Sequence, residues 1–467
     1  MSTTSEERTR AIMKSTFCTV DGPITGGRYD RPFASSIVDL GEYGYEENEY
    51  FVSGTATRYV PAPGTALTPD GRWQVVTDGT DPYRTRILVR RPSADRFNGV
   101  VVVEFMQEYF GCERDTNYRW YAEILLREGF AWVGASLHHE GIDVPGRQEI
   151  SLGGYSFTSG PSLVEWDPER YGSLEFPHSD LCYDVLSQIA RTVGPDRPAQ
   201  PADPLGGLIV QRVFAAGNTI AADRLRHYIN AVHPGHRVFE GFFLQDLSDS
   251  GVALAEGIAS PPDLWVRTDV GVPTVVLNTT TAAMDATRQE EGEHIRFWEP
   301  AGSSHTTGPY MARVATANAR DLSAGTPLGD PGSGNTLPLQ YVGGAAFAGL
   351  RRWAEGGEPI ARFPVIERAG DENGEATAVF DKSGNVAGGL RTPWVDVPVA
   401  RYDWRGESLG GSGATYPYTE RELRLRYGTP AVYHQRFAAA TRAAVRSGVL
   451  LPDEAERAIA ESHNVSW

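Results

Sequence analysis

The chain has 467 residues and a formal net charge of −17, with 40% hydrophobic and 22% charged residues. These values suit one large α/β unit with a lid or appended subdomain, and the acidic balance excludes phosphate-backbone binding, which needs clustered Lys and Arg. The three cysteines, Cys18, Cys112 and Cys182, are widely spaced and odd in number, which excludes a disulfide framework and a Cys-rich zinc site.

Lysine occurs only at Lys14 and Lys382, the codon bias of a GC-rich genome rather than chemistry. The polar segment Met1–Arg8 has no apolar h-region, and the chain has no run of roughly 18 apolar residues. The expectation is a cytoplasmic protein without membrane contact.

In chain order, residues 20–95 read as loops and strands, with candidates at Glu49–Ala56 and Arg84–Arg90. Gly99–Phe105 carries the β-branched run of a strand buried on both faces of a parallel sheet. Residues 118–129 read as a helix closed by Gly129, and Ala131–Leu137 as the next buried strand. Leu181–Arg191 is helical, Gln211–Ala216 a strand and Ile220–Val232 an amphipathic helix. Val238–Leu244, Pro273–Leu277 and Ile295–Trp298 supply three more strands. This alternation predicts a mostly parallel sheet covered by helices on both faces.

Residues 306–330, rich in Gly, Pro, Ser and Thr, read as a loop, and Leu337–Glu355 as a helix. Residues 368–415 are loop-rich with short strands. Three helical patterns close the chain, at about 418–427, 430–447 and 452–462. We expect a single unit over 1–467. It comprises N-terminal strands (20–95), a core (96–355) with lid segments 142–180 and 306–330, and a loop-rich and helical extension (356–467) packed on the core.

Ligands bind beyond the carboxyl ends of strands in open parallel sheets. The sharpest signal there is Arg212–Ala221 (RVFAAGNTIA), a strand, a glycine and a helix, the context of a nucleophile elbow. Position 219 carries threonine rather than serine, between Asn218 and Ile220, and Ala221 replaces the second glycine. Phe297–His305 (FWEPAGSSH) places His305 in the loop after the last strand, where a general base belongs.

At this point the chain resembles the bacterial alpha/beta hydrolase domain-containing proteins of about this length. The resemblance runs nearly end to end, through DGPITGG (21–27), FNG (97–99), GFAWVG (129–134), WDPERYGSL (166–174), DPLGGL (203–208), YINAVHP (228–234) and RTPWVDVP (391–398). It implies an α/β-hydrolase fold and a Ser-His-acid site. The family elbow is similar to G-x-S-Q-S, and here it reads Gly217–Ala221 (GNTIA). The family acid segment is similar to T-E-T-D, and here it reads Thr279–Ala282 (TTTA), with Thr280 in place of the acid. The oxyanion segment, Asn- and Gly-rich in the family, reads Met106–Cys112 (MQEYFGC). His305 is retained.

Asp246, after the preceding strand, and Asp285 are candidate replacement acids. New polar groups at the strand ends, Gln107, Glu108, Tyr109, His138, His139 and Glu140, could rebuild the pocket for acid–base work. Phe105, Tyr109, Phe110, Tyr118 and Trp120 cluster in sequence and suit either core packing or an apolar pocket. A metal held by His138, His139, Glu140 and His305 lacks recognisable ligand spacing, and there is no dinucleotide or P-loop signature. Neither metal nor cofactor is expected.

Three functions stay open. The leading expectation is non-hydrolytic acid–base chemistry (lyase, isomerase or cyclase, in secondary metabolism) on a hydrophobic small molecule. The second is an ester, lactone or thioester hydrolase using Thr219, His305 and Asp246. The third is an inactive binding protein. The sequence allows an oligomer without requiring one.

Overall fold

The computed structural model describes residues 15–467 except 110, 145, 147–148, 153–154, 249–251, 323–329, 371–375 and 407–410. The chain divides into two compact units: 1–274 with 287–294, and 275–286 with 295–467.

The principal strands are β1 (Thr19–Asp21), β2 (Tyr45–Pro61), β3 (Val75–Pro92), β4 (Val100–Phe105), β5 (Ala131–Ala135), β6 (Arg212–Asn218), β7 (Gly241–Gln245), β8 (Thr274–Leu277) and β9 (Ile295–Trp298). Within the first unit their order is β1-β2-β3-β5-β4-β6-β7, and the second unit holds β8-β9. β1, β2 and β3 are antiparallel, and β3 also pairs antiparallel with β5. From β5 through β4 and β6 to β7 every pairing is parallel. Each of β4, β5 and β7 is buried along its whole length, which is why those segments read as continuous apolar runs.

The chain leaves β4 for β5 on one side and later returns to place β6 on the other. That reversal opens a crevice at the carboxyl ends of β4 and β6. Helix α1 (Thr116–Arg127) joins β4 to β5. The Glu104 carboxylate near the end of β4 accepts from the N–H groups of Asn117 and Tyr118 (both 2.8 Å) and from the Trp132 indole (2.9 Å). It thereby ties the first turn of α1 to the sheet. α2 (Cys182–Thr192) and α3 (Ile220–His227) complete the helices that matter for the site.

The most buried ionic cluster lies under the β2–β3 hairpin. Arg86 donates to Glu49 (2.7 Å) and Glu113 (3.0 Å), and Glu49 also holds Arg170 (2.6 Å) and the Tyr171 hydroxyl (2.8 Å). Arg170 and Tyr171 belong to the segment read as a lid. Around them Trp166 stacks on Tyr29, and Tyr171 is fully buried. This part of 142–180 is anchored in the core.

In the second unit, α4 (Gly308–Asp321) and α5 (Leu339–Ala354) are followed by α6 (Glu420–Tyr427), α7 (Pro430–Arg446) and α8 (Pro452–Ser462). The three terminal helices match their periodicity closely. Helix α4 corrects the loop reading of 306–330 over Gly308–Asp321, and 323–329 lie outside the described residues. Thr307 caps it, Pro309 sits in its first turn, and Tyr310, Met311, Val314, Ala317 and Asn318 form a buried face. The helix read over 220–232 is α-helical to His227 and widens to π-type turns over Tyr228–Val232. Among the described residues, no helix is long and apolar enough to cross a membrane.

Replacing Arg86 by Met leaves Glu113 and Glu49 buried with fewer cations. We expect a loss of about 3–5 kcal/mol in urea unfolding. A loss below about 1 kcal/mol would show that the cluster tolerates its absence.

Candidate active site

The turn between β6 and α3 is built by sterics. A Cβ on Gly217 would lie 2.8 Å from the backbone carbon of Ala221 and 2.9 Å from its oxygen, so only glycine lets the helix start so close to the strand. Thr219 follows with φ 46° and ψ −116°, outside the regions open to a β-branched residue. Two backbone bonds hold it there: Thr219 N–H donates to the Gln245 carbonyl (2.9 Å), and Asp223 N–H donates to the Thr219 carbonyl (2.9 Å). The strain lifts the half-buried Thr219 side chain to the end of β6, next to the first N–H groups of α3.

The crevice predicted by strand order is occupied by side chains from both of its strands. Gln107, immediately beyond β4, donates its amide to Thr219 Oγ1. Thr116 Oγ1 in turn donates to Gln107 Oε1 (3.0 Å), fixing which end of the amide faces Thr219. The Thr219 hydroxyl donates to Asn218 Oδ1 (3.3 Å). Asn218 is buried, and its Nδ2 has no partner. On the neighbouring strand Gln245 accepts from Asn117 (3.1 Å) and Tyr121 (2.7 Å), and its own Nε2 is unpartnered. Ile220 opens α3 and is half-buried.

Asp246 is the residue after Gln245. It is 1% exposed and takes φ 51°, a second strained backbone position beside the elbow. Its place in the chain follows from the Thr219-to-Gln245 bond, which fixes the end of β7 against the elbow.

The other strand-end residues separate. His138 is buried against Phe105 (ring centroids 5.0 Å apart), and its Nε2 has no partner. Burial, with the positive charge of Arg224, lowers its pKa to about 3. His139 pairs with Asp143 at 2.8 Å, and exposed Glu140 accepts from Ser179 (3.1 Å). Glu108 accepts from the Gly111 N–H, and its pKa is raised by burial. Tyr109 is half-buried and its phenol is also raised by burial. Phe105, Tyr118 and Trp120 pack in the core. Phe110 lies outside the described residues.

In the second unit, Thr280 is fully buried. Its Oγ1 donates to the Pro300 carbonyl (3.1 Å), and its N–H donates to Ser303. Asp285 is exposed at the end of the same short helix (Thr280–Asp285). His305 is half-buried, and its backbone N–H donates to Thr281 Oγ1 (3.1 Å). Its loop is tied further by Ser304 Oγ, which donates to the Thr306 (2.5 Å) and Ser412 (3.2 Å) carbonyls, and by Thr306 N–H, which donates to the Gly411 carbonyl (3.3 Å). Thr281, Ser304 and Ser412 support the histidine loop without carrying any motif. Among the described residues no group of three or more His, Cys, Asp or Glu could hold a metal ion.

His138 gives a pH test. Folded, it stays neutral down to about pH 3, whereas the unfolded chain titrates near 6.5. The unfolded state therefore binds more protons in that window, and stability is lost as pH falls below about 6.5. Between pH 7 and 4.5 the native protein should lose about 2 kcal/mol more than His138→Phe, read by urea unfolding. Equal slopes would contradict the burial account.

A family described as alpha/beta hydrolase domain matches residues 20–460. No curated protein matches the chain. Remote structural likenesses include XC6422 from Xanthomonas campestris, an a/b serine hydrolase without lid. It shows 12% identity and TM-score 0.28, over 57% of this chain and 91% of that one. An esterase from Pseudomonas putida ECU1011 shows 12% identity and TM-score 0.27, over 52% and 66%. Brefeldin A esterase, a bacterial homologue of human hormone sensitive lipase, shows 13% identity and TM-score 0.27, over 61% and 70%. The match over 20–460 is what assigns the family: the chain belongs to the alpha/beta hydrolase domain family.

Proposed function

We propose that the protein hydrolyses a carboxylic ester, lactone or thioester of a small molecule, with Thr219 as the nucleophile. The observation that carries this reading is the backbone of Thr219. A β-branched residue at φ 46° is costly, and the turn's yield is a hydroxyl presented at the helix N-terminus in the crevice. A protein that had given up covalent catalysis would have no use for that strain at this position.

His305 is assigned as base from its place after the last strand, and Asp246 as acid from its burial in the loop after β7. Thr280, spent on the Pro300 carbonyl, leaves the family's acid position without a carboxylate. In the proposed reaction Thr219 Oγ bonds to the carbonyl carbon as its proton passes to His305. The bond to the leaving oxygen or sulfur breaks, and His305 returns the proton to it. Water, deprotonated by the same histidine, then cleaves the threonyl ester and releases the acid.

A non-hydrolytic step in secondary metabolism needs a paired acid and base. Of the strand-end residues read for such a step, His138 is buried, Glu108 is tied to the Gly111 N–H, and His139 and Glu140 face outward, so hydrolysis is the reading we carry.

The test is hydrolysis of 4-nitrophenyl esters of short and medium acyl chains. Thr219→Ala and His305→Ala should each lower kcat by at least about 10³-fold, and Asp246→Asn by about 10²- to 10⁴-fold. Thr219→Ser should retain or raise activity. Full activity in Thr219→Ala would remove threonine from the mechanism, and absence of turnover in native protein and Thr219→Ser alike would favour the inactive binding protein.

A further inference from the structure

Arg224 lies on α3, five residues after Thr219 and so about 7.5 Å further along the helix axis. Its Nη1 donates to the Tyr183 hydroxyl (3.2 Å) and to the Ala253 carbonyl (2.9 Å). Its Nε is buried and has no partner, and among the described residues no carboxylate lies within ion-pair distance of the guanidinium. Asp180 acts on it at longer range but is engaged by the Glu256 N–H (2.9 Å).

Buried arginines of the first unit do have carboxylates. Arg86 holds Glu49 and Glu113, Arg90 holds Glu47 and Asp115, Arg119 holds Asp115, and Arg170 holds Glu49. Arg226 holds Asp223 through Nη2 (3.1 Å).

The Nε edge of Arg224 is the one that reads carboxylates. Nε and Nη2 form the side of the guanidinium fork that takes two oxygens in parallel. This chain uses that edge elsewhere: Arg86 places Nε and Nη2 on Glu113, and Arg267 places them on the two oxygens of Asp269 (2.7 and 3.0 Å). On Arg224, Tyr183 and Ala253 pin Nη1 and leave this edge unfilled.

Tyr183 and Cys182 do not neutralise it. Burial raises the pKa values of both Tyr183 and Cys182, keeping phenol and thiol uncharged. The nearby ring of His138 is neutral, and its buried Nε2 is a second unpartnered polar atom. His138 lies just beyond β5, at the carboxyl edge of the sheet where ligands bind, and Arg224 lies one and a half turns into the helix that follows β6.

We propose that Arg224, with His138 beside it, receives a carboxylate of the substrate, so that the enzyme acts on esters carrying an anionic carboxylate several bonds from the scissile carbonyl. This rests on the hydrolase reading for turnover but not for binding.

Two measurements test it. The first compares 4-nitrophenyl hydrogen glutarate with neutral 4-nitrophenyl valerate. Native protein should prefer the acidic ester in kcat/KM by about tenfold or more, and Arg224→Gln should abolish that preference through KM. The second is calorimetric titration of glutarate into native protein and Thr219→Ala, which requires no turnover. Saturable binding to both is expected, lost in Arg224→Gln. Equal kcat/KM for the two esters in native protein, or no glutarate binding to native protein, overturns the proposal and assigns Arg224 to holding Ala253 in place. Glutarate binding without hydrolysis of either ester leaves the carboxylate site standing and removes the hydrolase reading.

Discussion

The Thr219 turn constrains everything around it. Its positive φ can be held only because the Gln245 carbonyl and the Asp223 N–H grip both sides of the peptide, and because Gly217 lets α3 begin against the strand. The end of β7 must therefore sit beside the elbow, which puts Asp246 there too. The end of β4 must sit on the other side, which brings Gln107 onto the hydroxyl. Glu104 and Thr116 act behind this arrangement, one fixing the start of α1 and the other the amide of Gln107. Under the hydrolase proposal, these contacts are what hold the hydroxyl in position for attack on a carbonyl.

Under the hydrolase proposal, threonine at this position changes the chemistry without changing the turn. Its extra methyl adds bulk where the backbone is already strained, and under the hydrolase proposal Thr280, which carries no carboxylate, leaves the orienting of the base to another residue. An enzyme with these features would trade intrinsic nucleophilicity for selectivity, since a crowded hydroxyl favours substrates that are well anchored. Under the two proposals, Arg224, one and a half turns along the same helix with its Nε unpartnered, would be that anchor.

Much of this was legible in the sequence where burial is symmetric. The runs in β4, β5 and β7 are apolar on both faces, so the strands announce themselves, and the elbow follows from a strand, a glycine and a helix in succession. The long β2–β3 hairpin was visible only in pieces, because its exposed outer half carries Asp81, Pro82 and Gly54 and has no clean alternation. Helix α4 was hidden by Gly308, Pro309 and small residues, whose burial depends on packing rather than on strong hydrophobes. Arg224 reads as an ordinary solvated arginine on an amphipathic helix. Its meaning comes from Tyr183 and Ala253, 41 and 29 residues away, which no local pattern connects. The Gln107–Thr219 contact is likewise a product of strand order, since the two residues are 112 positions apart.

The most direct test of the central claim is covalent: incubation with an alkyl fluorophosphonate, followed by intact mass and peptide mapping. A single adduct per chain on the peptide containing Thr219, absent from Thr219→Ala, is the result this account predicts. An unmodified native protein, or an adduct on another residue that persists in Thr219→Ala, would contradict it.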